Sequence, residues 1–204
     1  LINCVLSQGV SASREYLERL ENGDDSSKKT VRDFLRDPRV RDLSDKLEGM
    51  VEIHSKIGAV RRMIRERLRR DPNSRVIVFA NYRDTVASLE SSLEGLDSVK
   101  AVRFVGQSAR GGRQGLSPKD QVSVLDEFRS GGANVLLATS IGEEGLDIPS
   151  ADLVIFYEPV SSEIRTIQRR GRTGRRRLGE VIVLIAEGTR DEGAKAAAVR
   201  REEN

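Results

Sequence analysis

Leu136-Leu137-Ala138-Thr139-Ser140-Ile141-Gly142-Glu143-Glu144-Gly145-Leu146-Asp147-Ile148-Pro149 opens as an apolar strand and runs straight into hydroxyls, glycines and acids. In an open parallel sheet, ligands sit at the carboxyl ends of the strands. Thr139 and Ser140 fall at that end, where their hydroxyls can donate to a phosphate oxygen. Asp147 can accept from a ribose hydroxyl or hold an arginine in place; taken alone, it reads as a turn or cap residue before Ile148-Pro149. Outward from this stretch the pattern repeats. From Arg75 onward strands and helices alternate, as in a parallel sheet covered on both faces. Strands are predicted near 75–80, 99–105, 133–138, 152–157 and 180–186. Ser117-Pro118-Lys119-Asp120 carries a cap, a proline in the first turn and an acid at the third helical position, and Thr189 with Glu192 has the form of a capping box for the last helix.

Upstream the pattern changes. Residues 7–53 read as helices broken by Asn22-Gly23-Asp24-Asp25-Ser26-Ser27, a polar loop. Val31, Phe34, Leu35, Val40, Leu43, Leu47 and Met50 recur at mostly helical spacing, with a break at Asp37-Pro38 because proline cannot continue a helix. The chain is therefore divided at about residue 53, into a helical segment 1–53 and an α/β domain 54–204. A helix from about Lys56 to Arg70 sets Ile57, Val60, Ile64 and Leu68 on one face and Arg61, Arg62, Arg65 and Arg69 on others; packing with a solvated basic face is preferred to direct DNA contact. The segment 106–116 is too rich in glycine to pack, and Arg110 and Arg113 read equally as contacts to a nucleic-acid backbone or as parts of a surface loop.

Composition sets bounds on function. The 204 residues are 37% hydrophobic and 33% charged, with a net charge of +3, which suits one globular domain with an appendage. Basic residues matter here through clustering, since acids nearly balance them elsewhere. A lone cysteine, Cys4, excludes an internal disulfide and a cysteine zinc framework, so a reducing cytoplasmic setting is expected. No stretch approaches the roughly 20 apolar residues of a membrane span, so no membrane partner is expected. Leu1 as first residue suggests a piece of a longer protein.

Gln168-Arg169-Arg170-Gly171-Arg172-Thr173-Gly174-Arg175-Arg176-Arg177 holds six arginines and two glycines. Burying unpaired guanidinium groups costs several kcal/mol each, so the segment must meet an acidic partner or water. Gln168, Arg172 and Arg175 stand at i, i+4 and i+7, one face of any helix running into the segment. Glycines allow close backbone approach to a ligand. Phosphate is the natural candidate, because a guanidinium fork matches it. Read as a bare charge cluster, the segment is more readily an arginine-rich surface loop that binds nucleic acid or nothing.

The segments Arg75-Val76-Ile77-Val78-Phe79-Ala80 leading into Asn81-Tyr82-Arg83-Asp84-Thr85, Leu136–Pro149 and Gln168–Arg177 resemble motifs IV, V and VI of superfamily 2 helicases, in the same order. With Phe104-Val105-Gly106-Gln107-Ser108, Phe156-Tyr157-Glu158-Pro159-Val160 and Gly188-Thr189-Arg190-Asp191-Glu192, the stretch from about 54 to about 193 is similar to the second motor domain of the archaeal Hef helicases and their eukaryotic FANCM relatives. The resemblance implies a RecA-like α/β fold with helices on both faces and an N-terminal helical appendage, the end of an insertion between two motor halves. It implies ATP bound between two RecA-like domains, the first holding the triphosphate and magnesium. On this chain, Gln168, Arg172 and Arg175 would act on the γ-phosphate, Gly145 and Asp147 would approach the ribose, and Arg169 would brace the site. Arg83, Gln107 and Thr139 would grip phosphates of the tracked nucleic acid, with forked or branched DNA favoured.

No Gly-x-x-x-x-Gly-Lys-Ser/Thr occurs, so the chain lacks a lysine-bearing phosphate loop and a hydroxyl placed for magnesium. Asp126-Glu127-Phe128-Arg129 looks like an acidic magnesium box but falls inside the helix that starts near Pro118. His54, the single histidine, reads as the start of a helix and not as a base. No metal site is expected here. The chain is read as half of an ATP-driven active site, inactive alone; a nucleic-acid-binding or protein-interaction module without catalysis is the alternative.

Overall fold

In the computed structural model, which describes residues 9–50, 55–106, 115–139, 149–159 and 178–193, the strands form one parallel sheet. Its members are β1 (Val76–Ala80), β2 (Ala101–Phe104), β3 (Val135–Thr139), β4 (Ala151–Phe156) and β5 (Leu178–Val183), in the order β2-β3-β1-β4-β5. All pairs are parallel, so every carboxyl end lies on one edge. Ala80 is level with Thr139, Phe104 with Ala138 and Phe79 with Phe156.

Side chains alternate across the pleat, and each face is covered by helix. Val76, Val78 and Ala80 of β1, Val135 and Leu137 of β3, and Leu153 and Ile155 of β4 face α4 (Ser55–Arg70) and α5 (Arg83–Leu93). Ile77, Phe79, Leu136, Ala138, Val154 and Phe156 point the other way, onto Leu125 and Phe128 of α6 (Pro118–Ser130). Burial on both faces explains why β1 reads as five apolar residues in a row. The α/β expectation holds, and each strand lies within a few residues of its predicted place. The largest difference is the end of β5, predicted at 186. Asp191 Oδ2 accepts from the Ala186 amide at 3.0 Å and bends the chain out of the sheet.

Local chemistry starts the helices where expected. Ser117 Oγ accepts from the Asp120 amide, Asp120 returns the bond to the Ser117 amide, and Pro118 occupies the first turn of α6. The helix closes on Gly131 at φ 85°, a left-handed position that glycine tolerates at no cost. Thr189 differs from expectation: its Oγ1 accepts from the Asp191 amide at 3.2 Å, while the Glu192 amide donates to the Thr189 carbonyl at 3.3 Å and not to its hydroxyl.

Helices α1 (Val10–Asn22), α2 (Lys29–Arg36) and α3 (Pro38–Glu48) enclose a small core of Val10, Leu17 and Leu47, with Phe34, Leu35, Val40 and Leu43 packed against it. A 3-10 turn at Asp24–Ser27 fills the predicted polar break. Asp37 caps α3 by accepting from the Arg39 amide, with Pro38 in the first turn. Met50 departs from the expected stripe, since it lies beyond α3 and is exposed. The cluster leans on the sheet domain through α1 and α5. There Arg19 Nη1 lies 2.6 Å from Asp84 Oδ2.

Candidate functional site at the carboxyl ends of the strands

The parallel sheet gathers three of its carboxyl ends side by side: β2, β3 and β1 are neighbours. Thr139 is the last residue of β3, half-buried. Arg83 opens α5 three residues after the end of β1, where its Nη2 donates to the Gly106 carbonyl at 2.6 Å, just past β2. Arg83 therefore braces two loops while its cation stays on the ligand edge. Its Nη1 is buried and has no hydrogen-bond partner among the described residues. Asn81 is fixed in turn, its amide donating to Glu158 Oε2 at 3.0 Å, after β4. Between them Tyr82 is 53% exposed, a large aromatic side chain turned to water beside the arginine.

Of the residues singled out in sequence, Arg83 and Thr139 are thus brought to one edge. Gln107 follows Gly106 directly but lies outside the described residues. So do Gly145, Asp147, Gln168, Arg169, Arg172 and Arg175, as well as Ser140, Arg110, Arg113 and His54. Asp126-Glu127-Phe128-Arg129 sits within α6, with Phe128 in the core and Arg129 3.0 Å from Asp126. It is a helix segment, as expected, and not at the end of a strand. Among the described residues no group of three His, Cys, Asp or Glu side chains could hold a metal ion.

Two charged pairs escaped the reading of the sequence. Lys56 is 3% exposed; its Nζ donates to the Tyr157 carbonyl at 2.7 Å and to Asp191 Oδ2, and lies 5.0 Å from the centre of the Tyr157 ring. A signal existed, because Lys56 stands on the apolar side of α4, one turn before Val60. Asp84 is buried in the first turn of α5, where the helix dipole favours a negative charge and Arg19 neutralises it. Nothing near Asp84 in sequence announces that partner. At the half-buried Asp37, side-chain and amide hydrogen bonds from the exposed Arg39 lower the carboxyl to about 2.

This is an open α/β domain that offers hydroxyl and guanidinium donors at the carboxyl edge of its sheet, a polarity suited to phosphate. Residues 55–177 match the family described as "Helicase conserved C-terminal domain". The chain belongs to that family and is the C-terminal, RecA-like motor domain of a superfamily 2 helicase. It is 41% identical over 196 residues to a Methanocaldococcus jannaschii protein provisionally named an ATP-dependent RNA helicase, which covers 96% of this chain and 24% of the relative. To the ATP-dependent DNA helicase mph1 of Neurospora crassa it is 36% identical over 172 residues, or 80% of this chain and 15% of the relative. The crystal structure of the Pyrococcus furiosus Hef helicase domain matches with a TM-score of 0.71 and 44% identity, across 96% of this chain and 40% of that one. The chain thus spans about a quarter of the length of the Methanocaldococcus relative. Among the described residues no helix is long and apolar enough to cross a membrane.

Proposed function

We propose that this chain is the closing half of an ATP-driven translocase on nucleic acid, with forked or branched DNA as the preferred substrate. The observation that carries the reading is the convergence of Arg83, Gly106 and Thr139 at three adjacent strand ends. Arg83 and Thr139, with Gln107, hold phosphates of the tracked strand. Contacts to backbone carry no sequence information, so movement is insensitive to sequence. Tyr82 offers a face on which a base can stack.

The nucleotide side of the reading rests on family membership and on the order of the motifs. A first RecA-like domain of the same protein holds ATP and magnesium, since this chain has no lysine-bearing phosphate loop. Gln168, Arg172 and Arg175 reach the γ-phosphate, Gly145 and Asp147 approach the ribose, and Arg169 braces the arginines by an ion pair. Guanidinium groups placed where charge develops lower the barrier without any covalent step by the protein. Closure around ATP and reopening after hydrolysis shift one grip relative to the other. Residues 1–53 form the end of a helical insertion between the halves. The lone cysteine suits a reducing compartment, cytoplasm or nucleus.

The full-length protein with Arg172→Ala or Arg175→Ala is the test. ATP turnover should fall by about 10³-fold with nucleotide affinity much less changed. Near-normal turnover removes that arginine from the reading. Magnesium-dependent ATP hydrolysis by the 204-residue chain alone, abolished by Arg175→Ala, would overturn the half-site itself.

A further inference from the structure

We infer that the outer face of α4 is a second nucleic-acid contact, which takes the backbone of a duplex arm and lies away from the strand ends. Arg61, Arg62, Arg65, Arg69 and Arg70 are all exposed on this helix, against one exposed acid, Glu66. None of the five has a hydrogen-bond or ion-pair partner among the described residues. The excess of positive charge on this one helix face is greater than the +3 of the whole chain.

Packing does not account for the pattern. The inner face, Ile57, Val60, Ile64 and Leu68, already buries α4 on the sheet. Glu66 stands four residues from Arg62 and Arg70 and three from Arg69 without bonding any of them, and the row Arg61-Arg65-Arg69 has no acid in it, so its neighbours repel. Arg69 and Arg70 lie in the last turn, where the helix dipole favours cations; Arg61 and Arg65 do not. A row of like charges that weakens its own helix implies a ligand that neutralises it.

The chemistry selects the ligand. The exposed positions of the face, beyond the serine that opens it, read Gly58, Arg61, Arg62, Arg65, Glu66, Arg69 and Arg70, with no aromatic or apolar group on which a base could stack. Such a face engages phosphates only, and a duplex, with its bases stacked inside, presents phosphates outward. With a rise of about 1.5 Å per residue, the row is a straight ladder about 12 Å long on a rigid support. The helix starts where Lys56 meets the Tyr157 carbonyl, beyond the carboxyl end of β4, and runs to Arg67, whose Nε donates to Ser74 Oγ before β1. A duplex along α4 therefore leads away from the edge where Arg83 and Thr139 stand.

The test is Arg61→Gln/Arg65→Gln/Arg69→Gln in the full-length protein, with binding to a blunt duplex followed by fluorescence anisotropy over a range of salt. Loss of three phosphate contacts should flatten the slope of log K against log salt by about 2–3 and weaken binding about 10²-fold near 0.1 M salt. The melting temperature should be unchanged or raised, since the repulsive row is gone, and the matching triple Arg→Lys variant should keep duplex binding. An unchanged slope and affinity overturns the inference, whatever else the face holds. So does a loss of binding that comes with a lowered melting temperature, which would make the role structural. Arg83→Ala, scored on single strands, tests the strand-end grip separately, and its failure leaves this result standing.

Discussion

Lys56, in the first turn of α4, and Asp191, in the helical residues 190–193 after β5, form an ion pair buried on both sides. The lysine also donates to the Tyr157 carbonyl, and the aspartate also accepts from the Ala186 amide. One contact thus ties the first helix of the sheet domain, the end of β4 and the last described residues together. Removing one partner leaves a buried charge without its counterion, which costs about 3–5 kcal/mol. Lys56→Met is expected to lower stability by that amount in chemical denaturation. Adding Asp191→Asn to Lys56→Met should recover much of the loss. Equal stability of Lys56→Met and the parent would show that the pair contributes nothing.

Arg19 and Asp84 hold the N-terminal helices to the sheet domain at a point adjacent to Arg83. Arg19→Ala leaves Asp84 buried without its cation, a cost of about 1–3 kcal/mol. The cost should fall on docking and not on the sheet. Hydrogen exchange is expected to quicken in α1 while β1 and β3 keep their protection. Uniform loss of protection would mean that the two parts unfold as one unit.

At the strand ends, Thr139→Val keeps the shape and removes the hydroxyl, worth about 1 kcal/mol for a hydrogen bond to phosphate. In the full-length protein, unwinding per ATP on a forked duplex should drop while basal ATP hydrolysis survives. Arg83→Ala should weaken single-strand binding about tenfold or more, because a phosphate contact and the brace on Gly106 are lost together. Arg83→Lys keeps the charge but cannot span the loops in the same way, and is expected to fall between. Unchanged coupling in Thr139→Val would remove that hydroxyl from the tracking strand.

Asp37 titrates at about 2 instead of 3.8 because Arg39 donates to it from both side chain and amide. A carboxyl lowered in the folded state stabilises fully above its ordinary value and loses that contribution as pH falls through the lowered one. The cap of α3 should therefore hold from neutral pH down to about 4 and weaken between about 4 and 2. Carboxyl carbon shifts followed by NMR check the midpoint, which high salt should move upward, since the Arg39 partner is exposed. A midpoint at the ordinary value would mean that the Arg39 contact does not persist in solution.

Much of the fold is legible along the chain because its causes are local. Five apolar residues in succession, Val76–Ala80, mark a strand covered on both faces. Ser117 with Pro118 and Asp37 with Pro38 start helices through bonds that reach only a few residues. The helix start at Ser117-Pro118 placed Asp126-Glu127 inside α6 and so set aside a false magnesium box. Of the candidate site, Thr139 could be named from sequence because it falls at a strand's end, and Arg83 through the resemblance of its segment to a helicase motif. Their convergence could not, since it depends on β2, β3 and β1 being neighbours in an order that differs from the order of the chain.

The buried charges belong to the tertiary structure as well. Lys56 and Asp191 are 135 residues apart, and Arg19 and Asp84 are 65 apart. At such separations only the folded chain brings the partners together. The segment after β5 shows the same limit: Thr189 and Glu192 carry a capping pattern, yet the Thr189 hydroxyl accepts from the Asp191 amide, and the Asp191 carboxylate is held by Lys56 and the Ala186 amide. Strand and helix signals are settled by backbone bonds and side chains within a turn of each other, so the sequence alone determined the α/β alternation and its punctuation. Strand order and the pairing of buried charges minimise the free energy of the whole core, and only the tertiary structure decided them.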